Sequence, residues 1–146
     1  MPPSSANEPV ILAKNLSRIY PLGDSSVVGI HQVNLTIGPG ELVVLKGNSG
    51  SGKSTLLSLL AGLDHPSSGD LVVAGHPLSN HRAADLTRFR REVIGMVFQS
   101  FNLLPTLSVL ENVCLPALLA EKDLETTRRK AIDLLGWLGL KDRRDH

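Results

Sequence analysis

The chain has 146 residues, 42% of them hydrophobic and 20% charged, which is enough for a real core and excludes a disordered chain. Its formal net charge of +1 gives no general attraction to nucleic acid or to an anionic membrane. Cys114 is the sole cysteine, so an intramolecular disulfide is excluded and a reducing cytosol is the simplest setting.

Residues 1–9, MPPSSANEP, are rich in proline and serine and read as a flexible tail. They lack the basic start and apolar run of a signal peptide. Val10–Ala13 predicts a strand. Val33, Leu35 and Ile37 alternate with Asn34 and Thr36, the pattern of a half-buried strand. Gly38-Pro39-Gly40 is a turn signal. Leu42–Leu45 is a continuous apolar run and predicts a strand buried on both faces. After the stretch GNSGSGKST, Thr55–Ala61 predicts a leucine-rich helix. Pro66 to Gly69 marks a turn, and Leu71–Ala74 a short strand. Ala83–Arg91 predicts a helix, and Val93–Phe98 a second buried strand ending at Gln99. From Val109 onward the pattern is helical. Leu124, Ala131, Ile132, Leu134, Leu135 and Leu138 form the apolar side of a helix whose polar side carries Arg128, Arg129 and Lys130. The class is therefore α/β over residues 10–99 and helical over residues 100–146. No apolar run is long enough to span a bilayer, so membrane attachment is expected through a partner.

Gly47 to Thr55 raises the functional question. Residues 47–54 fit G-x-x-x-x-G-K-S/T through Gly47, Gly52, Lys53 and Ser54. A triphosphate presents several negative oxygens close together. Converging backbone N–H groups in a concave loop bind them without bulky side chains in the way. The N-terminus of the following helix adds unpaired donors and partial positive charge. Lys53 supplies a full positive charge, and the Ser54 hydroxyl suits Mg²⁺, which prefers oxygen ligands. A chance match arises in roughly 1 in 200 chains of this length. A flexible linker would not be framed by an apolar strand and a leucine-rich helix. Nucleotide binding is thus expected at Gly47, Asn48, Ser49, Gly50, Ser51, Gly52, Lys53, Ser54 and Thr55.

The stretch GPGELVVLKGNSGSGKSTLLSLLAGLDHPSSGDLVVAGHPL closely resembles the ATP-binding subunit of ABC transporters. The resemblance extends to LAKNLSRIY upstream and IGMVFQSFNLLPTLSVLENVCLPAL downstream, covering about Val10 to His146. GLDHPSSGDL and FNLLPTLSVLENV are most similar to the lipoprotein-release and macrolide-export type. The resemblance implies a P-loop NTPase fold of ABC ATPase type, with an N-terminal antiparallel β portion and a C-terminal helical portion. It implies ATP and Mg²⁺ as cofactors, a transmembrane permease subunit and a second ATP-binding subunit as partners, and a peripheral place on the cytoplasmic face of the inner membrane. Tyr20 matches the aromatic residue that stacks on adenine. Gln99 matches the glutamine that touches Mg²⁺ or the attacking water, beside Lys53 as the catalytic cation. Ser100 to Val109, with Phe101, Leu103, Leu104 and Leu107, lies where the family receives the membrane subunit's coupling helix. Simple packing of the helical lobe stays open as the other reading.

The family's remaining machinery is not found in these residues. Hydrolysis needs an acid for Mg²⁺ and a group that polarises water. The nearest apolar run ending in an acid, Leu59 to Asp64, continues the helix after the loop and has the wrong spacing. Ile132-Asp133 lies inside the C-terminal helix. The signature Leu-Ser-Gly-Gly-Gln would follow GLKDRRDH. The expectation is an N-terminal portion with an incomplete core sheet, able to bind ATP but not to hydrolyse it efficiently. The alternative is a short nucleotide-binding or regulatory module. A small-molecule kinase would need an acceptor pocket and an arginine-rich lid. Arg88, Arg90 and Arg91 read as a solvated helix face rather than a nucleic-acid patch. Cys114 reads as a small core residue. The five histidines show no paired metal spacing.

Overall fold

The computed structural model describes residues 8–79 and 83–146. Most of the expected tail, and His81, therefore lie outside the described residues. The chain forms two compact units, one running to Gly95 and the other from Met96 to His146.

The first unit is built on a long antiparallel hairpin, β1 (Ile11–Leu22) and β2 (Ser25–Ile37), joined at Gly23-Asp24. Both strands run further than their alternation predicts. The pairing register shifts between Ala13 and Leu16, and again between Leu16 and Ile19. Asn15 and Gln32 take positive φ of 49° and 48°. Each bulge inserts a residue, so burial falls on Ala13, Leu16 and Ser17 instead of on every second position. β3 (Ser68–Val73) pairs with the other edge of β1, and β4 (His76–Pro77) with β3. The sheet order is β2-β1-β3-β4, antiparallel throughout.

Two helices cover this sheet. α1 (Lys53–Leu60) buries Leu56 and Leu59, one turn apart, against Ala13, Leu16, Ile30, Leu71 and Val73. α2 (Ala83–Glu92) adds Leu86 and Phe89 to the same core. The expected solvated arginine face of α2 is only partly so. Arg88 pairs with Glu92 at 3.0 Å, but Arg90 turns inward and donates to the Gly62 carbonyl at 2.6 Å, just past the end of α1. A guanidinium there satisfies a carbonyl that the helix cannot.

Two expected strands do not form. Leu42–Leu45 is irregular, with Leu42 93% and Val44 68% exposed, and only Leu45 packs against the core. Val93–Phe98 is also irregular. Val93 and Ile94 pack against the core, whereas Val97 is 98% exposed. An apolar run becomes a strand only when neighbours complete its ladder, and none does so among the described residues. The core sheet of the fold is thus incomplete in this chain.

The second unit pairs α3 (Val109–Leu119) with α4 (Leu124–Trp137) around Leu110, Cys114, Ala131 and Leu135. Ser108 and Glu111 form a reciprocal capping box at the start of α3, and Asp123 caps α4 through the Thr126 N–H at 2.8 Å. The amide of Asn112 donates to the carbonyls of Leu104, Leu107 and Ser108 and accepts from the Leu104 N–H, so it pins the connection into α3. Cys114 is a buried core residue. No helix among the described residues is long and apolar enough to cross a membrane.

Leu59 is fully buried whereas Leu57 is 47% exposed on the same helix. Leu59→Ala is expected to cost about 2–5 kcal/mol of stability, and Leu57→Ala under about 1 kcal/mol. Urea unfolding of the two variants checks the difference.

Candidate functional site

The glycine-rich loop leads directly into α1, whose first residue is Lys53. Gly52 is the N-cap, with φ 85°, and no side chain caps the helix. The first turn also has no acidic residue. Its backbone donors and partial positive charge are therefore offered to whatever lies beyond the helix end. Only glycine fits at the cap. A Cβ there would stand 2.3 Å from the Gly29 carbonyl oxygen and 2.6 Å from Ile30 Cγ2. The loop thus rests its bare backbone against β2 while the body of α1 is held by its buried leucines.

Lys53 folds back over the loop. Its Nζ donates to the Gly47 carbonyl at 2.8 Å, the Asn48 carbonyl at 2.7 Å and Ser51 Oγ at 3.2 Å. The ammonium thus sits at the mouth of the loop, satisfied by weak acceptors that a stronger anion can replace. Beside it lies a cleft of about 410 Å³, lined by Ser49 to Thr55 and by Tyr20, Val27, Val28 and Gly29. That volume is within the ~300–1,000 Å³ of ordinary small-molecule sites. Of the residues singled out from the sequence, Ser49 to Thr55 and Tyr20 share this cleft, and Gly47 and Asn48 hold Lys53. Gln99 belongs to the second unit and is exposed in irregular chain.

Tyr20 is not an isolated ring. Its hydroxyl donates to Asp64 Oδ2 at 2.8 Å. Arg18 grips the same carboxylate with two prongs, Nε to Oδ2 and Nη2 to Oδ1, each at 2.8 Å. The Arg18 guanidinium carbon also lies 4.4 Å over the Tyr20 ring centre. Burial is the largest single influence on the Asp64 carboxyl and works to raise its pKa. Hydrogen bonds from Tyr20, Arg18 and the His65 N–H together outweigh it and leave the pKa below the usual carboxylate value. From the sequence, Asp64 reads only as an acid at the wrong spacing for a metal. Its partners are 44 and 46 residues away, and no local pattern announces them.

The family described as ABC transporter matches residues 30–146. The chain belongs to this ATP-binding family. It is 45% identical over 136 residues to the macrolide export ATP-binding/permease protein MacB of Rhodopseudomonas palustris (strain BisB18), a match over 93% of this chain and 21% of the relative. It is 42% identical to an uncharacterized ABC transporter ATP-binding protein of Methanocaldococcus jannaschii, over 94% of this chain and 61% of that one. Among solved structures it is similar to the dimeric ATP-binding cassette MJ0796 in a post-hydrolysis state bound to ADP and Pi. The TM-score is 0.85 and the identity 36%, over 93% of this chain and 60% of that one. The chain therefore spans about a fifth of the MacB relative and three fifths of the solved cassette.

The depressed carboxyl gives a pH signature. Asp64 contributes stability that is present above its unfolded value of 3.8 and is lost as pH falls through the lower folded value. Wild type is expected to exceed Asp64→Asn by about 1 kcal/mol at neutral pH, allowing for partial solvent screening. The gap should close as pH drops below 3.8. Thermal unfolding of both proteins across pH checks this, and a gap that is flat or widens at acid pH contradicts it.

Proposed function

We propose that this chain binds ATP with Mg²⁺ and, within the full-length protein, couples ATP binding and hydrolysis to transport across the cytoplasmic membrane. The observation that carries this reading is the single cleft shared by the glycine loop, the uncapped start of α1 and the Tyr20 ring. One end suits a polyphosphate and the other a flat base.

The roles follow from the chemistry of each group. Backbone N–H groups from Ser49 to Thr55, with the start of α1, bind the phosphate oxygens. Lys53 exchanges its bonds to the Gly47 and Asn48 carbonyls for bonds to the β- and γ-phosphates. Ser54, in the first turn of α1, offers a hard hydroxyl oxygen that fits Mg²⁺. When bound, that ion neutralises charge on the phosphates. Tyr20 stacks on the base. Gln99 reaches the metal or the attacking water in the working protein and reports nucleotide state. A permease and a second ATP-binding subunit complete the transporter, with this part peripheral on the cytoplasmic face of the inner membrane. The names of the MacB relatives, which join an ATP-binding part to a permease, support this, as does the dimeric state of the solved cassette. The exposure of Phe101 and Leu103 favours a docking role for that segment over simple packing.

Taken alone, the 146-residue chain is read as a nucleotide binder without efficient turnover. Support comes from its three-fifths span of the solved cassette and from the unpaired apolar runs.

Lys53→Ala removes a charged donor from the phosphates and is expected to weaken ATP binding by about 10- to 100-fold, measured by calorimetry on the full-length protein. An unchanged affinity overturns the phosphate-loop reading. Steady-state ATP turnover by the 146-residue chain should match its Lys53→Ala control. Turnover clearly above that control overturns the binding-only reading.

A further inference from the structure

We infer that Arg18 and Asp64 are positioning residues that lock the Tyr20 ring as a one-sided platform for the nucleotide base. This inference rests on the reading of Tyr20 as the base-stacking residue and adds the device that makes it work.

Three contacts fix the ring. Its hydroxyl is tied to Asp64 Oδ2 at 2.8 Å, which sets its tip. Arg18 covers one face, with its guanidinium carbon 4.4 Å from the ring centre. The ring edge lies against β2 at Gly29, where a Cβ would come within 2.8 Å of Tyr20 Cε2. Tip, edge and one face are engaged and Tyr20 lines the cleft, so the remaining face is the one this inference assigns to a planar ligand. Arg18 is held in turn by the two-pronged bond to Asp64, a geometry that a lysine cannot reproduce. Asp64 is held from below by the His65 N–H at 2.7 Å. The three side chains therefore form a closed set in which each restrains the other two.

The pay-off is pre-organisation. An untethered aromatic side chain loses rotamer freedom when it stacks on a ligand, and that loss weakens binding. A ring already locked loses little. The device also explains why a carboxylate and a guanidinium stand next to a site for polyanions without disturbing it. Their charges are paired with each other, and neither residue is among those lining the cleft that Lys53 and the loop share.

Binding of ATP and of inorganic triphosphate to the full-length protein tests this, using wild type, Tyr20→Ala, Arg18→Ala, Asp64→Asn and the double variant Tyr20→Ala with Asp64→Asn. Triphosphate has no base, so it reports the loop and the integrity of the fold. Arg18→Ala and Asp64→Asn should each weaken ATP by about two- to tenfold and leave triphosphate unchanged. The double variant should be no weaker for ATP than Tyr20→Ala alone. Arg18→Lys should recover less than half of the loss. If Tyr20→Ala weakens ATP alone while Arg18→Ala and Asp64→Asn do not, the pair has no positioning role and only this inference falls. If Tyr20→Ala leaves ATP unchanged, the platform reading falls and takes the pair with it. An equal loss of triphosphate in the pair variants means they support the fold alone, which overturns the inference. So does a gain in ATP affinity on Arg18→Ala, because Arg18 would then occupy the place of the base.

Discussion

The first turn of α1 has to meet two opposed demands. Its donors must stay unsatisfied by the protein, because a capped helix end has nothing left to offer an anion. The helix must also stay put, because scattered donors bind a polyphosphate poorly. The chain separates the demands along the helix. Leu56 and Leu59 fasten the body of α1 to the sheet, while Gly52 leaves the end bare and brings it against β2 at Gly29. Arg90 secures the far end through the Gly62 carbonyl. The glycines and the lysine are effective only because hydrophobic packing elsewhere holds the helix that presents them.

The same dependence on neighbours explains the two runs that stay irregular. Leu42–Leu45 leads straight into the loop, and its composition is that of a strand enclosed on both faces. With Leu42 and Val44 exposed, this segment gains core packing only through Leu45 and nothing from a ladder. Val97 and Phe98 are in the same position ahead of Gln99. The loop is therefore anchored on its helix side and much less so on its strand side. A neighbouring strand beside 42–45 would pair its backbone, bury its apolar side chains and stiffen the entry to the loop.

What could be read from the sequence divides by the range of the interaction. The loop and α1 were legible, because a phosphate cradle needs particular residues at adjacent positions. The pattern from Val109 onward reads as helical, and the structure starts α3 there with the Ser108–Glu111 box, another contact between near neighbours in the chain. The full hairpin was not, because bulges at Asn15 and Gln32 break the alternation that marks a strand. The runs at 42–45 and 93–98 were misread for the opposite reason. Their composition reports the environment such strands are made for, whereas pairing depends on which neighbours are present. Arg90 and Asp64 were underread because their partners, Gly62, Arg18 and Tyr20, come from distant parts of the chain. Tyr20 was placed by resemblance. Its tether to Asp64 is visible only once β1 and the end of α1 are brought together.

The position of Gly29 ties the two ends of the cleft into one unit. A Cβ there would meet both Tyr20 Cε2 at 2.8 Å and Thr55 Cγ2 at 2.9 Å, and the Gly29 carbonyl oxygen is what a Cβ on Gly52 would strike. Ring and helix start thus converge over the one place where β2 carries no side chain, and the bare Gly29 is what lets them approach. Arg18 and Tyr20 stand on β1, and Asp64 stands just beyond α1. The closed set of three side chains therefore also bridges the hairpin to the helix that begins at the loop. A shift of the hairpin against α1 would strain that bridge and change the spacing between base platform and phosphate donors together. Recognition of the two ends of one ligand is coupled in this way through packing, because the contacts that locate the ring are made to the same elements that locate the loop.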